Sequence, residues 1–143
     1  MQLSEQQLQD LAQELDNGMI AYVSRADGNI DVIPEPDNPY AESSDWQKQW
    51  DFYAENLADY LVLRPISSRE AFRVMEAFAE EVDNPRWQQR LFDALGRSRP
   101  FRRFSDAVDD SPYRQAWFAF RDQAYADHYR REIESELRPP DAE

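Results

Sequence analysis

Four helix-start signals punctuate the second half of this chain and leave no length there for a sheet. Ser67 with Glu70 makes a capping box, in which a hydroxyl and a carboxylate satisfy each other's free backbone N–H groups. Asn84-Pro85 supplies a cap and a first helical residue, Pro100 opens a shorter helix, and Ser111-Pro112 opens the last and longest. The apolar residues between these signals recur at helical spacing. Ala71, Phe72, Met75, Phe78, Ala79 and Val82 form one stripe, Trp87, Leu91 and Leu95 a second, and Phe101, Phe104 and Val108 a third. Gly96 closes the helix before Pro100.

The first half is built differently. Ser4 and Gln7 form another capping box ahead of Leu8, Leu11 and Leu15, and Asn17-Gly18 ends that helix. Met19 to Ser24 and Ile30 to Ile33 are β-rich and flank the turn Ala26-Asp27-Gly28-Asn29. They read as an antiparallel hairpin with Ile20, Tyr22, Ile30 and Val32 facing inward. Three prolines then interrupt the chain, Trp46, Trp50 and Tyr53 mark a helix over 45–56, and Tyr60-Leu61-Val62-Leu63 reads as a third strand stopped by Pro65. The order is α+β: a small antiparallel sheet packed with a C-terminal group of helices. At 143 residues the expectation is one domain over 1–143, with 138–143 a frayed tail.

Charge narrows the partners. The net charge is −13, which disfavours duplex nucleic acid and anionic membrane surfaces. The charge is uneven. Residues 1–60 carry thirteen acids against Arg25 and Lys48, while Arg86 to Arg131 holds ten arginines against six aspartates. One lysine against fifteen arginines fits a high-GC genome or a salt-rich cytoplasm equally well. With no cysteine, thiolate metal sites, disulfides and cysteine nucleophiles are excluded. The N-terminal residues lack the basic and apolar regions of a secretion signal, and no run is long enough to span a bilayer, so the expected location is cytoplasmic.

The segments Ala94-Leu95, Arg99-Pro100-Phe101-Arg102-Arg103-Phe104-Ser105-Asp106-Ala107-Val108 and Trp117-Phe118-Ala119-Phe120-Arg121-Asp122 resemble the bacterial uncharacterised protein family 0158. The hairpin, the Tyr60–Pro65 strand and the Ser67-Ser68-Arg69-Glu70 helix start occur in similar order. Ser98 stands where glycine is expected, Ser105 where lysine is usual, and the tail after Asp127 diverges. The resemblance implies a shared fold and assigns no activity.

Two groups of residues are candidates for function. Arg97, Arg99, Arg102 and Arg103 gather where the helix at Pro100 begins, so free N–H groups and the helix dipole would join them in holding an anion. The plainer expectation is that Arg102 and Arg103 are partly buried and paired with carboxylates of the same chain, Asp106 among them. Arg114, Phe118, Arg121 and Tyr125 lie off the main apolar stripe and have the composition of a partner surface. Phe72, Met75, Phe78, Trp117 and Phe120 are expected to share one core.

The single histidine, His128, continues the Trp117, Phe120, Ala124 stripe without a catalytic or metal-binding companion. Asp109-Asp110 and Glu80-Glu81 lack calcium-loop spacing and read as solvated helix ends. No phosphate loop, dinucleotide fingerprint or serine elbow is present, and no cofactor is expected. The leading expectation is therefore a non-enzymatic protein-interaction or regulatory module with an unknown protein partner. The alternative is an anion or nucleic-acid binder working through Arg97–Arg103. A hydrolase using Ser67, Ser98 or Ser111 lacks a nameable base.

Overall fold

A computed structural model of the protein describes residues 3–137. The chain forms two compact units, one drawn from Met1–Ile66 and Tyr125–Glu143, the other from Ser67–Ala124. The expected frayed tail, 138–143, lies outside the described residues.

The first unit begins with α1, Glu5–Asp16. The Ser4 hydroxyl accepts from the Gln7 N–H at 3.1 Å and the Gln7 side chain accepts from the Ser4 N–H at 2.8 Å, which completes the capping box. Gly18 follows with φ +89°, and a Cβ there would lie 2.8 Å from the Asn38 side-chain nitrogen. That nitrogen donates to the Gly18 carbonyl at 2.9 Å, so the position admits only glycine without displacing a bonded neighbour.

Three strands form one antiparallel sheet in the order β2-β1-β3: β1 is Met19–Ser24, β2 Ile30–Pro34 and β3 Tyr60–Leu63. Between β2 and β3 lies α2, Ser43–Glu55. The hairpin register sets Ile20 opposite Ile33 and Ala21 opposite Val32. This corrects the expected inward set. Ile20 and Tyr22 share a face with Ile33, packed with Tyr53, Trp46 and Trp50. Ile30 and Val32 belong to the other face, with Ala21, Val23, Leu61 and Leu63. A four-residue loop from Arg25 to Gly28, closed by the Ser24 N–H donating to Asn29 O at 2.8 Å, sets this parity. Both faces are covered, so inward and outward are not alternatives here.

On the second face Leu8, Leu11, Ala12 and Leu15 of α1 pack against the strands, together with Ala126 and Tyr129. The last two belong to α6, Arg114–Glu136, whose residues from Tyr125 onward lie in the first unit. The Tyr129 hydroxyl donates to Arg64 O at 2.7 Å. On the first face the Tyr22 and Tyr53 rings stack with centroids 3.9 Å apart, Tyr60 stands edge-on to both, and the Tyr53 hydroxyl donates to Asp31 Oδ2.

The second unit is helical: α3 is Ser68–Glu81, α4 Pro85–Leu95, α5 Pro100–Asp109, followed by the first turns of α6. The Ser67 hydroxyl accepts from the Glu70 N–H at 3.1 Å, and the Asn84 side chain accepts from the N–H groups of Arg86 and Trp87. Phe78 meets Trp117 at 5.3 Å and Phe120 at 5.4 Å between ring centroids, and Phe104 meets Trp117 at 5.0 Å. Val74, Met75, Leu91, Ala94, Leu95 and Val108 complete the core. Two expectations change. Phe101 is exposed, and α6 starts at Arg114 because Ser111 closes a turn first, donating to Val108 O at 2.7 Å and accepting from the Tyr113 N–H at 3.0 Å. The fold class is α+β, with the small antiparallel sheet and the later helices as read from the sequence.

Candidate functional site

The four arginines around Pro100 do not converge. Arg97 and Arg103 line a cleft of about 300 Å³ between α4 and α5, while Arg99 and Arg102 lie outside it. Arg99 is the N-cap of α5 in the left-handed region, with φ 52° and ψ 55°. A residue with a Cβ is disfavoured there by about 1–2 kcal/mol. Its position lets Pro100 occupy the first helical turn, where a missing N–H is harmless. Arg102 and Arg103 are both exposed, which corrects the expectation of partial burial. Among the described residues neither pairs with a carboxylate. Arg103 Nε donates instead to Ser98 O at 2.7 Å, which ties its fork to the loop.

The same cleft contains residues that the sequence reading left out. Arg90 on α4 joins Arg97 in the turn that follows it, and Asp93, Asp106 and Asp110 complete the charged lining. Arg90 sits 4.5 Å over the Trp87 ring and 4.0 Å from Asp110. Arg90 and Asp93 on α4 with Arg97 just past its end, and Arg103 and Asp106 on α5 with Asp110 at its C-cap, recur every three or four residues, a spacing that could have shown these faces. The lining holds three arginines and three aspartates, so the cleft carries no net positive charge to draw an anion.

A different arrangement holds on the first turns of α6. Arg114 lies 4.9 Å and Arg121 5.2 Å from the centroid of the Phe118 ring. Helical offsets of four and three residues bring both guanidinium groups to that ring. Arg114 Nε also donates to Asp109 at 3.1 Å, and Arg121 reaches Asp122 at 3.4 Å. Phe118 stays half-buried and Arg114 exposed, so the group is presented on the surface. Tyr125 is not part of it. It packs against the first unit's core with Leu8, Val23 and Tyr129, as its half-buried state reflects.

The displaced titrations have structural causes. Burial first, and then the bond to Asp31, push the Tyr53 hydroxyl upward. Burial and the nearby Asp16 and Glu132 charges do the same to Tyr129. The Asn29 N–H and the Ser24 hydroxyl lower Asp27 in the hairpin turn. Arg130 is held charged by Glu5, to which it donates, and by Asp127 at 2.6 Å. His128 stands edge-on to Tyr129, with Nε2 3.3 Å from Glu132. Among the described residues no group of three or more His, Asp or Glu could hold a metal ion, and no helix is long and apolar enough to cross a membrane.

Fold and surface together define a small α+β protein with an arginine–aromatic face on its last helix. The sequence profile of an uncharacterised protein family, UPF0158, matches residues 1–137, and the chain belongs to that family. No curated protein and no solved structure matches the chain.

Proposed function

We propose that the protein is a non-enzymatic interaction module that engages another protein through Arg114, Phe118 and Arg121. The observation that carries this reading is the Phe118 ring flanked by two guanidinium groups at 4.9 and 5.2 Å. Stacked arginines on an aromatic are pre-ordered and poorly hydrated, which lowers the entropy lost when they meet a partner's carboxylates or apolar side chains. The tyrosines with raised titrations support a structural use of the ionisable groups, since Tyr53 and Tyr129 are engaged in the core. Balanced charge in the α4–α5 cleft favours this reading over an anion site.

Affinity capture from the native host, with nuclease treatment and at moderate salt, tests it. A protein recovered by the wild type should be lost with Phe118→Ala, while the thermal midpoint changes little. Recovery that persists with Phe118→Ala, or that vanishes on nuclease treatment, would refute the reading.

A further inference from the structure

The two edges of the sheet differ. β2 carries the Asp31 carboxylate and ends on Pro34, which has no N–H and whose carbonyl accepts from Trp50 Nε1 at 2.8 Å. Charge and proline are the usual means by which an edge strand is kept from pairing. β3, Tyr-Leu-Val-Leu, has neither within the strand, and Arg64 and Pro65 follow only at its end.

The ladder shows which groups of β3 remain available. The Arg25 N–H donates to Asp59 O at 3.0 Å, so hydrogen-bonded pairs with β1 fall at Asp59, Leu61 and Leu63. Tyr60, Val62 and Arg64 therefore turn their backbone groups to the open edge. Two of those groups are already used. The Tyr60 N–H donates to Leu57 O, and Arg64 O accepts from the Tyr129 hydroxyl. Among the described residues the Val62 N–H and C=O, the Tyr60 C=O and the Arg64 N–H are left.

We infer that this edge pairs with the same edge of a second copy, antiparallel, with a two-fold axis at Val62. Neighbouring pairs in an antiparallel ladder alternate between bonded and non-bonded, so a symmetric pair must place one residue opposite itself. With Val62 opposite Val62, each Val62 N–H donates to the other copy's Val62 C=O. Each Arg64 N–H likewise donates to the other copy's Tyr60 C=O. The two occupied groups, the Tyr60 N–H and Arg64 O, fall opposite one another and need no partner. Moving the axis to Leu61 or Leu63 sets an occupied group against a free one and halves the bonds formed. The free edge is thus self-complementary in one register, which an unrelated strand would match only by coincidence.

The flanks suit the same contact. Phe52 and Leu57, 49% and 53% exposed, lie beside Tyr60, with the Phe52 ring 6.2 Å from the Tyr60 ring. Tyr60 and Arg64 face each other across the axis, where a guanidinium can rest on a phenol ring. The strand is short and the unit that carries it is acidic, so the dimer is weak at low salt and strengthens as NaCl screens the repulsion.

Sedimentation of the full chain, from micromolar to about 1 mM and with increasing NaCl, gives the first test. Dimer is expected, and a protein that stays monomeric throughout overturns the inference, as does a dimer that dissociates when salt is raised. Amide exchange by NMR gives the second. In the monomer the Val62 amide exchanges fast while those of Leu61 and Leu63 are protected; in the dimer Val62 becomes protected too, in step with concentration. A dimer whose Val62 amide still exchanges freely uses another surface and overturns the inference. Val62→Pro removes the outward N–H and leaves the bonds to β1 in place, and should weaken association about 30-fold or more. If that variant fails to fold, exchange at Val62 in the wild type decides.

Discussion

The two units build their cores from different chemistry. The helical unit uses Phe78, Phe104, Trp117, Met75 and leucines, side chains with almost no polar atom to satisfy. The sheet unit buries Tyr22, Tyr53 and Tyr129, and two of these hydroxyls donate to the fold itself, to Asp31 and to Arg64 O. A hydrocarbon core is indifferent to pH and depends on shape. A phenolic core adds directed bonds, and with them a dependence on the protonation of each ring. The same chain therefore carries two kinds of sensitivity.

The largest separation should come from cavity formation. Phe78→Ala is expected to cost about 3–5 kcal/mol, because Phe78 is buried between Trp117 and Phe120. With 5-fluorotryptophan incorporated, the Trp117 resonance should collapse before those of Trp46 and Trp50. A loss below about 1 kcal/mol by denaturant titration would show that the helical core does not rely on close packing.

Alkaline pH should act in the opposite sense on the pair. The folded pKa values of Tyr53 and Tyr129 are raised above the unfolded value of about 10. The stability they supply is full below about pH 10 and is lost as pH rises toward the folded values. The thermal midpoint should therefore fall above about pH 10, with Trp46 and Trp50 reporting first. Equal loss at Trp117 would erase the distinction.

Tyr129→Phe sharpens this further. It keeps the ring and removes the bond to Arg64 O, at a cost of about 1 kcal/mol at neutral pH. Its penalty should shrink at high pH, since the variant has lost one of the titrating groups. A penalty that stays constant from pH 7 to 11 would show that Tyr129 is not part of the alkaline transition.

The smallest effect is that of salt. The ion pairs are exposed, as at Arg73–Glu70 and Arg114–Asp109, and such pairs contribute little. Repulsion among the acids of residues 1–60 is the larger effect, so moderate NaCl should raise the midpoint by a few degrees. A midpoint that falls steadily from low ionic strength would mean that attraction between opposite charges outweighs it.

Much of the fold could be read directly where one residue answers one local need. Ser4, Ser67, Asn84-Pro85 and Gly18 each satisfy a helix end, and each occupies the place the sequence suggests. The misreadings arise where a side chain answers to distant neighbours. The hairpin's facing set depended on the parity of a loop and on both faces being dry. On α6, Trp117 and Phe120 serve one core while Ala126, Tyr129 and Ile133 serve another, so a single continued stripe through His128 missed the residues that matter. Arg103 chose a backbone carbonyl over a carboxylate, because the loop at Ser98 lies within its reach. The candidate surface was legible in part: Arg114, Phe118 and Arg121 share helical spacing, whereas Tyr125 lies in a core.

The bond from Tyr129 to Arg64 O has a consequence for synthesis. The ribosome delivers the helices of Ser67–Ala124 whole before it delivers Ala126 or Tyr129. The sheet, although made first, lacks the side chains that close its second face until the last turns of α6 emerge. The later-made helical unit can thus finish folding before the earlier-made sheet unit, reversing the usual N-terminal precedence. A released chain truncated before Tyr125 should keep a protease-resistant helical segment and an open, cleavable sheet.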